Sequence, residues 1–217
     1  MPIARDRILY EDDHLLVVNK LARELAVEAS GRGKASLHEF LRKSIPGLRP
    51  LHRLDFGTSG AIAFAKDAQT MEKVREGKFA GWRKTYVAIV AGQMQGSGTI
   101  EKKLKARTED VDIPAVSRWK ALQTFAHASL VEVAIDTGRK HQIRQHLASI
   151  GHPLLCDELY GNPKLDRNFT KHMGYRHFFL HASRLSFPHP MTGERVSIEA
   201  PLPRVFRECV ERLQSSS

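Results

Sequence analysis

Short apolar runs broken by turn residues, without the long crossovers that parallel strands need, decide what this chain can fold into. Residues 7–19, Arg-Ile-Leu-Tyr-Glu-Asp-Asp-His-Leu-Leu-Val-Val-Asn, read as two strands around an acidic Glu11-Asp12-Asp13 turn. The run Leu15 to Val18 is unbroken, so that strand is expected to be covered on both faces. Ser117–Ala126 and Ala128–Ile135 read as a second hairpin, and Phe178–Phe187 with Arg195–Ala200 flank a turn at 188–193. Single strands are expected at Ala61–Ala65, at Lys84–Val90 before Gly92, and at Thr99–Leu104 after the glycines of 96–98.

Helices fall between the strands. Ser36 stands as an N-cap, with Glu39 at the capping-box position, for a helix through about Ser44. Asp67 opens another, with Met71, Val74 and Phe79 on one side. A third is expected over His141–Ile150 and a last one over Pro203–Leu213, while 105–114 read as loop and 161–176 as irregular. No internal repeat appears, and the glycine loops at 31–33 and 96–98 read as turns more readily than as domain joints. The expectation is a single α+β domain over 1–217, on a mainly antiparallel mixed sheet flanked by helices.

Charge narrows the partner. Lys plus Arg number 34 against 24 acidic residues, a net charge of +10, spread along the chain and not gathered in a tail. A folded basic face of that kind suits a polyanion, nucleic acid above all. No apolar run is long enough to span a membrane, and the first residues lack a signal-peptide core. Two cysteines make no disulfide framework, which fits a reducing cytoplasm.

Two stretches concentrate the chemistry. Leu51 to Gly60, Leu-His-Arg-Leu-Asp-Phe-Gly-Thr-Ser-Gly, sets one carboxylate, Asp55, just before Gly57 and Gly60, which are read as permitting a tight turn. These residues alone leave two readings open, an Asx turn and a reactive carboxylate on a loop. The other stretch is Thr137 to His146, half of it basic or histidine. Lys140 and Arg144 stand four apart near a helix start, where a phosphate could sit between them. The same pattern also fits a solvated basic face. Arg144 follows core-facing Ile143 and is the residue expected to reach inward to a buried carboxylate. The histidine spacings suit no metal ion, Cys156 has no CxxC partner, and no nucleophile elbow or nucleotide-binding glycine pattern is present.

The residues then resemble a known family. His52-Arg53-Leu54-Asp55-Phe56-Gly57-Thr58-Ser59-Gly60 is similar to the HRLDxxTSG signature of the RluA-type pseudouridine synthases. Lys84-Thr85-Tyr86-Val87-Ala88 resembles the family's K-x-Y strand, and Gly138 to Leu147 its GRTHQIRVHL motif. Gly151 to Gly161, Leu180-His181-Ala182, His189 to Glu194 and Ala200-Pro201-Leu202 resemble the remaining motifs in order, so the likeness spans nearly the whole chain. Three places depart from the pattern. Leu21-Ala22-Arg23 stands where Pro-x-Gly is usual, Lys140 replaces Thr, and Cys156 replaces Gly. The chain is expected to be a short form without an S4-like RNA-binding domain.

The resemblance implies isomerisation of uridine to pseudouridine in ribosomal or transfer RNA, without cofactor or metal. The glycosidic bond breaks, the uracil turns, and a carbon–carbon bond forms at C5. It implies Asp55 as the catalytic aspartate, Arg144 as its charge partner and Tyr86 as the ring that stacks on the uracil. The target base must leave its stack to react, so a uridine in a single-stranded loop is the expected substrate. Arg53, Thr58, Ser59, Lys84, Arg139, Lys140, His141 and Gln142, with the basic residues of 32–43, are expected to contact RNA. A cytoplasmic monomer is the default. The alternative is an RNA-binding or remodelling protein that keeps the fold without catalysis; a metal-free hydrolase using Asp55 with a histidine is a remoter one.

Overall fold

The computed structural model describes residues 3–28, 35–105 and 111–215. The glycine-bearing stretch 30–34 and part of the 105–114 loop lie largely outside the described residues. The chain forms two compact units, Met1–Lys84 with Ala182–Pro201, and Thr85–His181 with Leu202–Ser217. The glycine loop at 96–98 marks no division between them.

In the first unit a short 3-10 turn, Arg5–Arg7, leads into β1 (Ile8–Glu11) and β2 (Leu15–Lys20), an antiparallel hairpin in which Ile8 faces Val18 and Glu11 faces Leu16. Leu15 to Val18 are all buried, as their unbroken apolar run requires. Helix α1 (Leu37–Arg42) opens with the expected capping box: the Glu39 N–H donates to the Ser36 hydroxyl, and the Ser36 N–H to the Glu39 carboxylate. It stops two residues earlier than the sequence pattern suggests. The two-residue β3 (Arg49–Pro50) and β2 both pair antiparallel with β4 (Ser59–Ala65). Helix α2 (Ala68–Glu76) is capped by Asp67, which accepts from the Thr70 N–H. Phe79 lies beyond its end, at a positive φ of 57°.

In the second unit β5 (Arg83–Ala91, whose first two residues belong to the first unit), β6 (Ser97–Glu101), β9 (Val116–Thr124) and β10 (Ala128–Ile135) carry the sheet. β9 and β10 are the expected hairpin, and β6 pairs antiparallel with β9. Gly98 belongs to β6, opposite Trp119, and not to a turn; a Cβ there would meet the Trp119 indole at 2.9 Å. The expected loop at 105–114 holds an antiparallel pair instead, β7 (Leu104–Lys105) with β8 (Asp112–Ile113). Helix α3 (Gln142–Ser149) follows.

The stretch 161–176 is not irregular. It holds α4 (Pro163–Met173), whose N-cap Asn162 accepts from the N–H groups of Lys164 and Leu165, with Pro163 at the first helical position. Asn-Pro followed by Asp166 is a legible helix start; the polar surface of the segment hides it, since only Met173 is buried.

β11 (Leu180–Pro188) and β12 (Arg195–Glu199) pair antiparallel, and β11 lies beside β4. Helix α5 (Arg204–Ser215) seats Phe206, Cys209 and Leu213 in the second unit's core with Ile89, Phe125 and Phe179. The first unit's core gathers Leu15, Val17, Ala61, Ala63, Trp82, Leu185 and Phe187, with Trp82 stacked on Phe187 at 4.4 Å. The pairs β1–β2, β2–β4, β3–β4, β6–β9, β7–β8, β9–β10 and β11–β12 are all antiparallel. Helices lie between the hairpins, so the class is α+β.

Candidate active site

The Asp55 loop is built by the first unit. Leu51 and Leu54 are buried and pin its start, and the Thr58 N–H donates to the Asp55 carbonyl at 3.0 Å to close the turn. Gly60 is not part of that turn. It belongs to β4, opposite Lys20 of β2, and its φ is 110°.

Lys20 does not stand out in the sequence, yet it is fully buried at the root of the loop. Its Nζ donates to the carbonyls of Leu21 at 2.8 Å, Glu24 at 2.7 Å and Phe56 at 3.4 Å. The Arg23 N–H donates to the same Phe56 carbonyl at 2.7 Å. Burial pushes the Lys20 ammonium down to about 8, while the carboxylates of Glu24 and then Asp55 act the other way. Asp55 is therefore half-buried beside a desolvated cation, on a loop whose carbonyl at position 56 is held by two donors. The segment Leu21-Ala22-Arg23, which lacks the family's glycine, still makes a left-handed turn: Arg23 has φ 65°.

His52 supports the loop from behind. Its Nε2 accepts the Ala63 N–H at 3.1 Å, so the neutral ring carries its proton on Nδ1. Burial, and secondarily the Lys84 charge, push this histidine down to about 3. Burial alone pushes the Lys84 ammonium down to about 8.

Arg144 belongs to the second unit. Helix α3 buries Ile143, Arg144 and Leu147 together. The guanidinium donates from Nε to Asp157 Oδ2 at 2.7 Å and from a terminal nitrogen to Oδ1 at 2.6 Å. The rings of Phe178 and Tyr160 lie over it at 4.6 and 5.2 Å. The inward arginine expected from the sequence thus meets a buried carboxylate, and that carboxylate is Asp157. Asp157 Oδ1 also accepts from the N–H groups of Leu159 and Tyr160 at 3.0 and 3.3 Å. Gly161 follows because a Cβ there would stand 2.4 Å from the Asp157 carbonyl oxygen. The preceding residue, Cys156, has φ 62°, which explains the glycine usual at that position.

The remaining sequence-predicted residues divide by exposure. Arg53, Arg139 and Lys140 face solvent, and Lys84 is half-buried. Tyr86 is buried in β5. The expected phosphate seat between Lys140 and Arg144 does not form: Lys140 precedes the helix, His141 interrupts the geometry at φ 52°, and Arg144 turns inward. Gln142 is buried; its oxygen accepts from the Thr137 hydroxyl and the Arg139 N–H, and its amide donates to the Val116 carbonyl. Thr58 and Ser59 are buried as well. All three are buried, so none is presented at the surface of the folded chain. The half-buried His141 places its Nδ1 3.0 Å from the Tyr160 hydroxyl. His146 is spent in the core, its Nδ1 2.9 Å from the Ser117 hydroxyl, so it does not join His141 at a metal ion.

Comparison with known proteins agrees with these motifs. Residues 14–149 match the family model described as RNA pseudouridylate synthase. Ribosomal large subunit pseudouridine synthase C of Salmonella typhi is 35% identical over 227 residues, 98% of this chain and 71% of that protein. The protein of the same name from Escherichia coli K12 is 35% identical over 226 residues, covering 97% and 71%. The solved structure of human RNA pseudouridylate synthase domain containing 4 superposes with a TM-score of 0.78 at 26% identity, over 95% of this chain and 92% of that one. This chain belongs to the RluA-type RNA pseudouridine synthases, isomerases that act on RNA.

Proposed function

We propose that this enzyme isomerises specific uridines in ribosomal RNA, transfer RNA or both, with Asp55 as its catalytic carboxylate. Ribosomal RNA is the favoured substrate. The observation that carries this reading is the 35% identity, over nearly the whole chain, to bacterial enzymes named for the large ribosomal subunit.

The reaction exchanges one bond to the ribose for another. The N1–C1′ bond breaks, the uracil turns, C5 bonds to C1′, and the proton leaving C5 is balanced by one gained at N1. No cofactor is needed. Asp55 acts on the flipped uridine, Arg144 serves as its charge partner, and Tyr86 stacks on the base. Arg53, Lys84, Arg139, Lys140 and His141 contact the RNA. The enzyme works as a cytoplasmic monomer on uridines in single-stranded loops, where unstacking costs least.

Two features of the molecule support the role of Asp55. Its loop is held from below by Lys20 and Arg23 through the Phe56 carbonyl. The buried Lys20 ammonium feels the Asp55 charge, which acts against the downward push of burial on that ammonium.

The test is to incubate the protein with total RNA that lacks pseudouridine and to map new sites by carbodiimide-dependent reverse-transcription stops. Discrete sites in ribosomal RNA that vanish with Asp55→Ala, while RNA binding persists, are expected. Sites that persist with Asp55→Ala would overturn the catalytic role, and sites confined to transfer RNA would overturn the ribosomal preference.

A further inference from the structure

The side chain of Asp157 is wholly shielded from solvent and that of Arg144 nearly so. A guanidinium in so dry a place is costly unless a carboxylate meets it with good geometry. Asp157 does so through two N–H bonds, both under 2.8 Å. A single carboxylate uses only part of a guanidinium's donors, so the clamp fixes the plane of the group and leaves donors pointing elsewhere. The rings of Phe178 and Tyr160 restrict the same plane from its faces.

Oδ1 also accepts from the Leu159 and Tyr160 N–H groups, which ties the carboxylate itself to the backbone of its own segment.

We propose that Asp157 is a positioning residue for the isomerisation, holding the Arg144 guanidinium in the orientation from which it acts. This rests on Arg144 acting in the reaction as the charge partner of Asp55. The arrangement couples the motif around Arg144 to the segment Gly151–Gly161.

Asp157→Asn separates this role from a structural one. With the amide oxygen in place of Oδ1, the bonds from Leu159, Tyr160 and one guanidinium nitrogen survive. The amide nitrogen in place of Oδ2 then opposes the Nε–H, donor against donor, and the charge is gone. Single-turnover rates and KM would be measured for Asp157→Asn, Arg144→Lys and the double variant on one RNA substrate. Asp157→Asn is expected to lower the rate about 10- to 100-fold, by analogy with the loss of groups that orient metal-binding side chains. KM should move by less than about threefold, and the double variant should be no slower than Arg144→Lys alone.

Independent, multiplicative losses in the double variant would overturn the proposal, as would a loss confined to KM. Asp157→Glu, which keeps the charge but displaces it by one methylene, reads the same split if the asparagine variant folds poorly, and an unchanged rate there would also overturn it. An Arg144→Ala variant that still turns over would instead overturn the role of Arg144 itself. An inactive Arg144→Ala beside a fully active Asp157→Asn would overturn only the positioning role.

Discussion

A Cβ placed on Gly60 would stand 2.3 Å from the carbonyl oxygen and 2.6 Å from the amide nitrogen of Ala182. The glycine that ends the Asp55 signature is there because two backbones meet, and its φ of 110° is closed to other residues as well. Gly60→Ala should cost about 3 kcal/mol or more, since main chain and not a flexible side chain must yield. Gly96→Ala is the control: its φ is 74° but nothing lies within 4 Å, so about 1 kcal/mol is expected. Denaturant midpoints of the two variants check this, and equal losses would refute the close-approach explanation.

His52 makes the fold acid-sensitive. Its folded value is about 3 against an ordinary 6.5, so the unfolded chain takes up this proton first as the pH falls. Its contribution is complete above about pH 6.5 and is lost as the pH falls from there toward 3. By pH 5 the loss amounts to about 2 kcal/mol. His52→Gln keeps an acceptor for the Ala63 N–H and cannot titrate, so its unfolding free energy should change correspondingly less between about pH 7.5 and 5. Parallel curves for the two proteins would refute the assignment.

Arg23 and Cys156 both occupy the left-handed region where the family's motifs carry glycine. Glycine at either position should leave stability within about 1 kcal/mol, strain relief offsetting the freer unfolded chain and, at 156, the lost packing of a buried thiol. Valine should cost about 2 kcal/mol, because a β-branched side chain is the least tolerant of positive φ. Thermal unfolding of the four variants checks the contrast.

RNA affinity should fall with salt along a log–log slope of about −0.7 for each phosphate neutralised on a single strand. Arg53, Arg139 and Lys140 are exposed, so each replacement by alanine should flatten the slope by about that amount. Gln142→Ala should leave the slope unchanged, because its amide is committed inside. Filter-binding isotherms across a salt series would measure both.

Much of the fold is legible in the order of residues alone. The hairpins of β1–β2 and β9–β10 follow from apolar runs around turn residues, and the Ser36–Glu39 capping box from two residues at the right spacing. These are local effects, carried by residues within a turn or two of one another. Helix α4 escapes such a reading because only Met173 of it is buried, although Leu165, Phe169 and Met173 stand at helical spacing.

By itself, the sequence determined the local grammar, the basic surface and the presence of Asp55, Tyr86 and Arg144 in recognisable motifs. The tertiary structure decided what those residues lean on. Lys20 ends an apolar strand, and the register that sets it against Gly60 buries it beneath the Asp55 loop. Asp157 is closed by chain packing onto an arginine 13 positions away. A carboxylate's partner depends on which charged groups desolvation forces together, and desolvation is a property of the packed chain and not of its order of residues.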